Sequence, residues 1–412
     1  MKIIADFHIH SKYSRATSGD MDVEHLASWA QLKGIDLMGT GDFTHHLWLE
    51  ELKTNLEDLG NGLFKYNNTY FILTTEISSI YSKKGKTYRI HNMIFSPSFK
   101  ATDEINDRLS RCGNLASDGR PILGLDAAEL ARIIFDINEN CMVVPGHIWT
   151  PWFSLFGSMS GFDRIEDCFE DETSKIFALE TGLSSDPAMN WRLSALDRFS
   201  LISNSDSHSP SKIGREANVF DCELDYKTIR EVLKTKDKKR FLYTIEFFPE
   251  EGKYHFDGHR NCEVRFSPSE TRKNKGKCPK CGKPVTVGVM NRVEQLADRS
   301  EGYKPSNVIE FKNLIPLQEI IAEAKGVAPT SVSVEREYRS VVSNFGTEFN
   351  ILLNATEDEL TKGLPARVAQ GVLKVRKSQV NINPGFDGEY GEISIFGEED
   401  NTEKGEKQLD LF

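Results

Sequence analysis

Short apolar runs that end in polar or acidic residues recur along the first half of the chain. Residues 1–10 form the first such run, which predicts a strand followed by two histidines. A helix is predicted over residues 22–33, because apolar positions recur there at helical spacing and Gly34 can end it. Further strands are predicted over residues 35–42, 70–76, 88–95, 141–147, 175–181 and 201–208, and a helix over 126–138. Strands and helices that alternate in this way predict an α/β fold.

The second half of the chain has a different pattern. Helical periodicity predicts four helices, over residues 313–325, 331–345, 356–363 and 365–377. From Gly385 the chain is rich in glycine and acidic residues, which predicts disorder. We therefore divide the chain into an α/β domain (1–235), a segment with clustered cysteines that we call the ribbon (236–300), a helical domain (301–384) and a disordered acidic tail (385–412).

Length and charge limit the possible functions only loosely. A chain of 412 residues exceeds one ordinary core and predicts two or three domains. The net charge of −11 does not indicate nucleic-acid binding by the whole molecule, although a local basic patch can suffice. No apolar run reaches the length of a membrane span and no signal peptide is recognisable, so we expect a cytoplasmic protein without a membrane partner.

Histidines and carboxylates collect at or just after the predicted strands. His8 and His10 alternate along one strand, so their rings face the same side and can bind one metal ion. A core position could explain any one of these residues, but six of the ten histidines in the chain share this placement, which predicts a polynuclear metal site. The candidates are His8, His10, Asp42, His45, Glu76, His91, His147, Asp206 and His208.

The order of the motifs resembles a known family. His-x-His, Gly-x-Gly-Asp, Thr-x-Glu, His-Asn, Pro-Gly-His and Ser-Asp-Ser-His follow one another as in the polymerase-and-histidinol-phosphatase (PHP) domain. That resemblance implies a distorted (β/α)₇ barrel that hydrolyses phosphoesters with two or three zinc ions, exchangeable with manganese or magnesium. It also implies that Glu76 bridges ions shared with His8, His10 and Asp206, while His91, His147 and His208 complete the other sites.

One motif departs from the family pattern. Residues 42–45 read Asp-Phe-Thr-His where the family has Asp-His, so either Asp42 or His45 could bind metal. We assign catalytic roles to Asp206, which could orient the attacking hydroxide, and to Asp42. The aromatic loop at residues 147–157 could stack on a nucleobase or pack on the barrel.

A second metal site is predicted in the ribbon. His259 and Cys262 are separated by two residues, as are Cys278 and Cys281, and 15 residues lie between the pairs. This spacing is typical of a closed structural zinc site, and it favours His259 over His255 as the fourth ligand.

A basic run lies between the two ligand pairs. Arg272, Lys273 and Lys275 could contact DNA phosphates or could form a solvated face.

The barrel and ribbon together resemble endonuclease Q. The similarity rests on residues 254–262, the Cys-Pro-x-Cys-Gly-Lys-Pro ribbon and residues 287–299, and covers nearly the whole chain. It implies a DNA repair endonuclease that nicks damaged DNA 5′ to hypoxanthine, uracil, xanthine or an abasic site. Two alternatives are a small-molecule phosphoesterase related to histidinol-phosphate phosphatase and a non-catalytic DNA-binding module.

The C-terminal residues carry a separate motif. Gln408, Leu409, Leu411 and Phe412 resemble the short peptide by which bacterial proteins bind the sliding clamp. In the helical domain, Lys374, Arg376 and Lys377 could contact phosphate or form a plain helix surface. We expect this domain to close over bound DNA.

Overall fold

A computed structural model describes residues 1–397. The four residues predicted to bind a sliding clamp, Gln408, Leu409, Leu411 and Phe412, lie outside this range. Within it, no helix is both long enough and apolar enough to cross a membrane.

Strands and short helices alternate through the first half of the chain, and helices dominate the last third. The strands are β1 (Lys2–Asp6), β2 (Leu37–Gly39), β3 (Glu57–Asp58), β4 (Phe64–Tyr66), β5 (Thr69–Lys83), β6 (Lys86–Ser96), β7 (Ile122–Leu123), β8 (Met142–Pro145), β9 (Ala178–Glu180), β10 (Ser200–Ile202), β11 (Ala217–Asp221), β12 (Phe241–Glu246), β13 (Asp257–His259), β14 (Val264–Phe266), β15 (Glu310–Asn313), β16 (Asn381–Asn383) and β17 (Glu392–Ser394). The helices are α1 (Val23–Lys33), α2 (His46–Asn55), α3 (Phe99–Leu109), α4 (Ala127–Ile137), α5 (Ile165–Phe169), α6 (Pro187–Asn190), α7 (Tyr226–Thr235), α8 (Pro268–Lys273), α9 (Val289–Leu296), α10 (Leu317–Lys325), α11 (Val332–Phe345), α12 (Glu357–Gly363) and α13 (Ala366–Arg376). The predicted helices match α1, α4 and α10–α13 closely.

An eleven-stranded mixed sheet forms the centre of the molecule. Its path runs β15-β12-β11-β1-β2-β5-β4-β3, while β6 and β7 pair with β5, and β8 pairs with β6. The strands β9 and β10 form a separate parallel pair. Within residues 1–397 no ladder joins β8 to β9, so backbone hydrogen bonds do not close the predicted (β/α)₇ barrel.

Buried asparagines link β10 to the neighbouring strands where regular pairing is missing. The Asn204 side-chain oxygen accepts a hydrogen bond from the Phe7 amide at 2.9 Å. The Asn218 side-chain oxygen accepts one from the Ser203 amide at 3.0 Å. These side chains satisfy backbone groups that would otherwise be buried without partners.

The longest ladder is an antiparallel hairpin of β5 and β6. The predicted strand ended at Glu76, but β5 continues to Lys83 and pairs with β6 along its length. The next predicted strand, residues 88–95, corresponds to β6. It runs antiparallel to β5 and is therefore not a parallel barrel strand. Lys84 and Gly85 form the turn with φ values of 51° and 79°, as a two-residue type I′ hairpin requires.

The sheet and the C-terminal segment both cross the predicted domain boundaries. Past residue 235, β12 pairs with β11 and β15 pairs with β12, so the ribbon is inserted between two strands of the main sheet.

The prediction of disorder from Gly385 is wrong as far as Gly397. Here β16 and β17 form a hairpin, and the Gly385 amide donates to the Glu250 carbonyl at 2.8 Å. The side chain of Ile395 is buried.

A buried ion pair joins the helical domain to α1. Lys33 Nζ lies 2.8 Å from Glu348 Oε2, and both side chains are at most 3% exposed. The same carboxylate accepts hydrogen bonds from the Tyr338 hydroxyl at 2.7 Å and the Leu317 amide at 2.9 Å. Every polar atom of this contact therefore has a partner, as a buried charge requires.

Candidate active site

Glu76 lies between two pairs of histidines. Its Oε1 is 2.7 Å from His91 Nδ1 and 3.1 Å from His147 Nε2. Its Oε2 is 3.4 Å from His10 Nε2 and 3.6 Å from His8 Nε2. The antiparallel pairing of Ser78 with His91 makes this contact possible, because it places His91 on the same face of the hairpin as Glu76. One carboxylate thus faces two candidate metal sites, the arrangement expected of a bridging ligand.

Three groups of side chains could each hold a cation. In each group the candidate ligand atoms all lie within 4.8 Å of one another. The groups are His8, His10 and Glu76; Glu76, His91 and His147; and His10, Asp206 and His208. The fold thus brings together seven of the eight predicted metal ligands of the barrel from five separate strands or strand ends.

The eighth predicted ligand, His45, is not part of this cluster. Its ring stacks on Tyr13 with centroids 4.5 Å apart, and it occupies the position before the first turn of α2. None of the cation-binding groups in the described part of the chain includes His45. The stacking buries the ring, and its Nδ1 has no hydrogen-bond partner among the described residues.

Asp42 holds His10 from the side opposite the candidate ions. Its Oδ1 lies 3.1 Å from His10 Nδ1, and its Oδ2 accepts hydrogen bonds from the Ser11 amide at 2.6 Å and the Ser14 hydroxyl at 2.8 Å. A carboxylate that accepts a hydrogen bond from Nδ1–H keeps the proton on that nitrogen. The lone pair of His10 Nε2 then faces Glu76. The predicted catalytic role of Asp42 is therefore better described as positioning.

Asp42→Asn should weaken the binding of divalent metal by about 10- to 100-fold, the usual cost of losing a carboxylate that orients a ligating histidine. Competition with a chromogenic chelator measures this affinity directly. Asp136→Asn, which makes the same change on the exposed face of α4, is the control. An unchanged affinity in Asp42→Asn would mean that His10 does not need this carboxylate.

Glu180 positions His8 in the same way. From the sequence it was predicted only to lie in a strand, residues 175–181. Its Oε1 lies 2.9 Å from His8 Nδ1, and its Oε2 accepts from the His147 amide at 2.7 Å. His8 Nε2 is buried and has no hydrogen-bond partner among the described residues. It lies 3.6 Å from Glu76 and 3.8 Å from Asp206. A buried lone pair between two carboxylates fits a metal ion.

The pKa values indicate that the cluster attracts positive charge. Burial lowers the pKa of His91 to about 4, which leaves a neutral ring able to bind metal. Burial acts to lower the pKa of His10 as well, but Asp42 outweighs it and raises that pKa to about 9. Burial would raise the pKa of Glu76, yet His91 and Arg120 hold it well below its ordinary value. These shifts reflect buried negative charge in the cluster, and a bound cation would neutralise that charge.

Three residues of the site have backbone conformations that are uncommon outside glycine. Asp42, His147 and Asp206 have φ values of 50°, 29° and 46°. A Cβ added to Gly182 would lie 2.4 Å from the Cβ of His147, so only glycine fits beside it. Such strain is concentrated at functional sites, where the surrounding fold holds it in place.

A cavity of about 470 Å³ opens over the cluster. Arg120, Trp152 and Phe153 line it together with Asp206, and Arg120 Nη1 lies 3.1 Å from Glu76 Oε2. Arg120 was missed by the sequence analysis because it stands in a loop without a recognisable motif. The alternative that the aromatic loop packs on the barrel holds for its other large rings, Trp149 and Phe156, which are buried in the core.

The four predicted ribbon ligands also converge. Atoms of His259, Cys262, Cys278 and Cys281 lie within 4.8 Å of one another, whereas His255 is buried elsewhere and belongs to no such group among residues 1–397. The hairpin of β13 and β14 carries the first pair of ligands. Soft ligands at this spacing suit zinc.

The predicted basic run lies beside these ligands. Arg272 forms an ion pair with Glu294 at 2.9 Å, while Lys273 is exposed and Lys275 is an exposed turn residue with a positive φ of 51°. The exposed lysines remain candidates for contact with phosphate.

Cys278→Ser should remove about one metal ion per chain, because a four-ligand site loses its closed geometry with one thiolate. Elemental analysis of purified protein measures the content, and a thermal melt should show a lower midpoint. Cys112→Ser changes a thiol outside the ribbon and should alter neither value. Equal metal content in the two variants would exclude a metal in the ribbon.

The whole chain is similar to a solved endonuclease structure. It matches the crystal structure of the lesion-specific endonuclease PfuEndoQ from Pyrococcus furiosus with a TM-score of 0.86 and 31% identity, over 98% of this chain and 99% of that chain. The chain belongs to the endonuclease Q family. A second endonuclease Q structure, a complex with a 27-mer duplex substrate that has an abasic lesion at the active site, matches with a TM-score of 0.85 and 32% identity, over 97% of this chain and 98% of that chain.

Two sequence comparisons add to this assignment. Residues 316–379 match the family model described as the MJ0043 C-terminal domain. The uncharacterized protein MJ0043 from Methanocaldococcus jannaschii is 34% identical over 254 residues, or 60% of this chain. The chain spans about a third (31%) of the length of that relative. The endonuclease Q assignment therefore rests on the solved structures, which match from end to end.

Proposed function

We propose that this protein is a metal-dependent DNA repair endonuclease. It hydrolyses the phosphodiester 5′ to a deaminated base (hypoxanthine, uracil or xanthine) or to an abasic site. The observation that carries this proposal is the full-length similarity to an endonuclease Q structure with a lesion-containing duplex at its active site.

The donor set of the cluster supports two or three ions. Imidazole and carboxylate ligands suit zinc or manganese better than magnesium. Bound ions would supply a water of lowered pKa and neutralise charge on the phosphate. Glu180 and Asp42 hold the rings of His8 and His10, and His147 Nδ1 lies 3.2 Å from the Thr150 hydroxyl.

The protein's own residues complete the chemistry. Asp206 lines the cavity and its side chain is 27% exposed, against 1% for Glu76, so it is the carboxylate placed to orient an attacking water. Arg120 presents its guanidinium to the same cavity, where it can neutralise a phosphate oxygen. Both groups are in place before substrate binds, which avoids reorganisation during the reaction.

DNA contacts extend beyond the metal cluster. A damaged nucleotide must leave the base stack to reach a cavity of this kind, and mispaired or missing bases leave at least cost. Trp152 and Phe153 offer aromatic faces on which a base can stack. Lys273 and Lys275 of the ribbon would contact the backbone.

The test is cleavage of end-labelled duplexes that contain one deoxyinosine, one deoxyuridine, one abasic site or no lesion. We expect a single nick 5′ to each lesion, loss of nicking after removal of metal by a chelator, and loss in Asp206→Asn. Asp136→Asn should cut as the wild type does. Release of phosphate from small phosphomonoesters without nicking would favour the alternative, a small-molecule phosphoesterase. Lesion binding without hydrolysis in any divalent metal would favour a non-catalytic module.

The C-terminal motif suggests a partner at the replication fork. Gln408, Leu409, Leu411 and Phe412 would bind a bacterial sliding clamp and bring the enzyme to the nucleoid. Deletion of these four residues should abolish clamp binding in a pull-down and leave nicking of short duplexes unchanged.

A further inference from the structure

A second cavity, of about 520 Å³, lies at the opposite ends of the strands that carry the metal ligands. Among its lining residues, Phe135 precedes β8, Ile176 precedes β9 and Arg198 precedes β10. His147 and Asp206, by contrast, follow β8 and β10. The strands run between the two cavities, so this one is separate from the active site.

The cavity is lined by four cationic side chains, Lys175, Arg198, Arg230 and Lys234. In the described part of the chain, Lys175 pairs with Glu172 at 2.7 Å, but the other three form no ion pair with a carboxylate. Glu139 is the one carboxylate among the lining residues. Positive charge therefore exceeds negative charge here, although the whole protein is acidic.

Backbone carbonyls, rather than acids, hold the two guanidinium groups. Arg198 donates to the Thr173 carbonyl at 3.2 Å and to the Ile176 carbonyl at 3.5 Å. Arg230 donates from Nη2 to the Glu139 carbonyl at 2.9 Å. Its Nε is buried and has no hydrogen-bond partner within residues 1–397. These groups are oriented yet keep their full charge, which suits the binding of an anion.

Aromatic rings stand beside the cations. Arg230 lies over the Phe177 ring with its Cζ 5.6 Å from the centroid, and Lys175 Nζ lies 5.3 Å from the centroid of Phe135. A volume of about 520 Å³ exceeds what a phosphate ion fills and is typical of sites for small organic ligands. Apolar ring surface next to a cluster of cations matches a ligand that carries both an aromatic ring and a phosphate.

We propose that this cavity binds a nucleotide, with the phosphate at Arg230, Arg198 and Lys234 and the base beside the partly exposed ring of Phe177. A free nucleotide fits a single concave site better than a DNA backbone, which needs a row of cations at the spacing of successive phosphates. The site is independent of the proposed nuclease activity. The protein would thus have a binding site for a small effector at the far end of its barrel.

Calorimetric titration of the full-length protein with adenosine 5′-monophosphate tests the proposal. The protein keeps its metals, because the ribbon is expected to need its zinc, and the cavity variants below separate this site from binding at the metal cluster. We expect binding of the nucleotide, and at least tenfold weaker binding of adenosine or inorganic phosphate alone. Arg230→Gln and Lys234→Gln should each weaken nucleotide binding about tenfold, as the loss of a charge-assisted contact does.

Lys227→Gln is the matched control, because Lys227 is exposed on the same helix, α7, and does not line the cavity. All three variants should nick lesion duplexes as the wild type does. Arg230→Gln could lower the thermal midpoint and so weaken binding indirectly. Lys234 is exposed, so Lys234→Gln then tests nucleotide binding without a loss of stability. Absence of nucleotide binding at millimolar concentration, or equal binding by both cavity variants and wild type, would overturn the proposal. Weakened duplex binding by both variants, without nucleotide binding, would overturn it in favour of a backbone contact.

Discussion

Replacing Glu76 by glutamine should lower the rate of lesion-dependent nicking by about 10³-fold or more. The carboxylate faces both histidine pairs, and an amide cannot bridge two cations or balance their charge. Loss of several kcal/mol of charge stabilisation corresponds to about tenfold in rate for each 1.4 kcal/mol. Single-turnover cleavage of a deoxyinosine duplex at saturating enzyme measures the chemical step without a contribution from binding.

Two measurements make the Glu76→Gln result specific. Glu57→Gln applies the same change to an exposed residue of β3 and should cut normally. The metal content of Glu76→Gln should fall, while its circular dichroism spectrum should remain that of the folded wild type. A variant that keeps its full metal content and cuts within tenfold of wild type would show that Glu76 does not bridge the ions.

Replacing Glu348 by glutamine should destabilise the protein by about 3–5 kcal/mol, the usual cost of removing one partner from a buried ion pair. Lys33 would then carry a buried charge without a counterion, and the acceptors for Tyr338 and Leu317 would be weakened. Urea unfolding followed by circular dichroism measures the change in the free energy of unfolding.

Glu335→Gln serves as the comparison for this prediction. Glu335 pairs with Arg339 one turn along α11, and both side chains are more than a third exposed. Exposed pairs of this kind contribute little, so the unfolding midpoint should hardly move. A similar midpoint for the two variants would mean that the Lys33–Glu348 pair does not hold the helical domain on α1.

Local motifs were sufficient to predict most of the side chains that the fold brings together in the cluster. Histidines and acids that follow short apolar runs can be recognised without knowledge of the fold, as for His8, His147 and Asp206. The positions of six helices, α1, α4 and α10–α13, could be predicted for the same reason, since periodicity is a local property.

What the sequence did not predict depends on contacts between distant segments. Arg120 lies in an irregular loop, and only the fold places it beside Glu76. Asp42 and His45 looked equally plausible as ligands until the structure placed one behind His10 and the other against Tyr13. The length of β5 was underestimated because Ser78 and Ser79, which read as a polar strand end, are buried in the hairpin.

The β5–β6 hairpin has a consequence for how this enzyme can change in evolution. Surface turns usually tolerate insertions and deletions. Here the ladder that starts at the Lys84–Gly85 turn also sets which residue stands opposite Ser78. One residue inserted between Thr87 and Ile90 would turn His91 to the other face of the sheet and remove a ligand candidate. We therefore expect homologues to vary the length of the turn itself but to keep the number of residues from Thr87 to His91 constant.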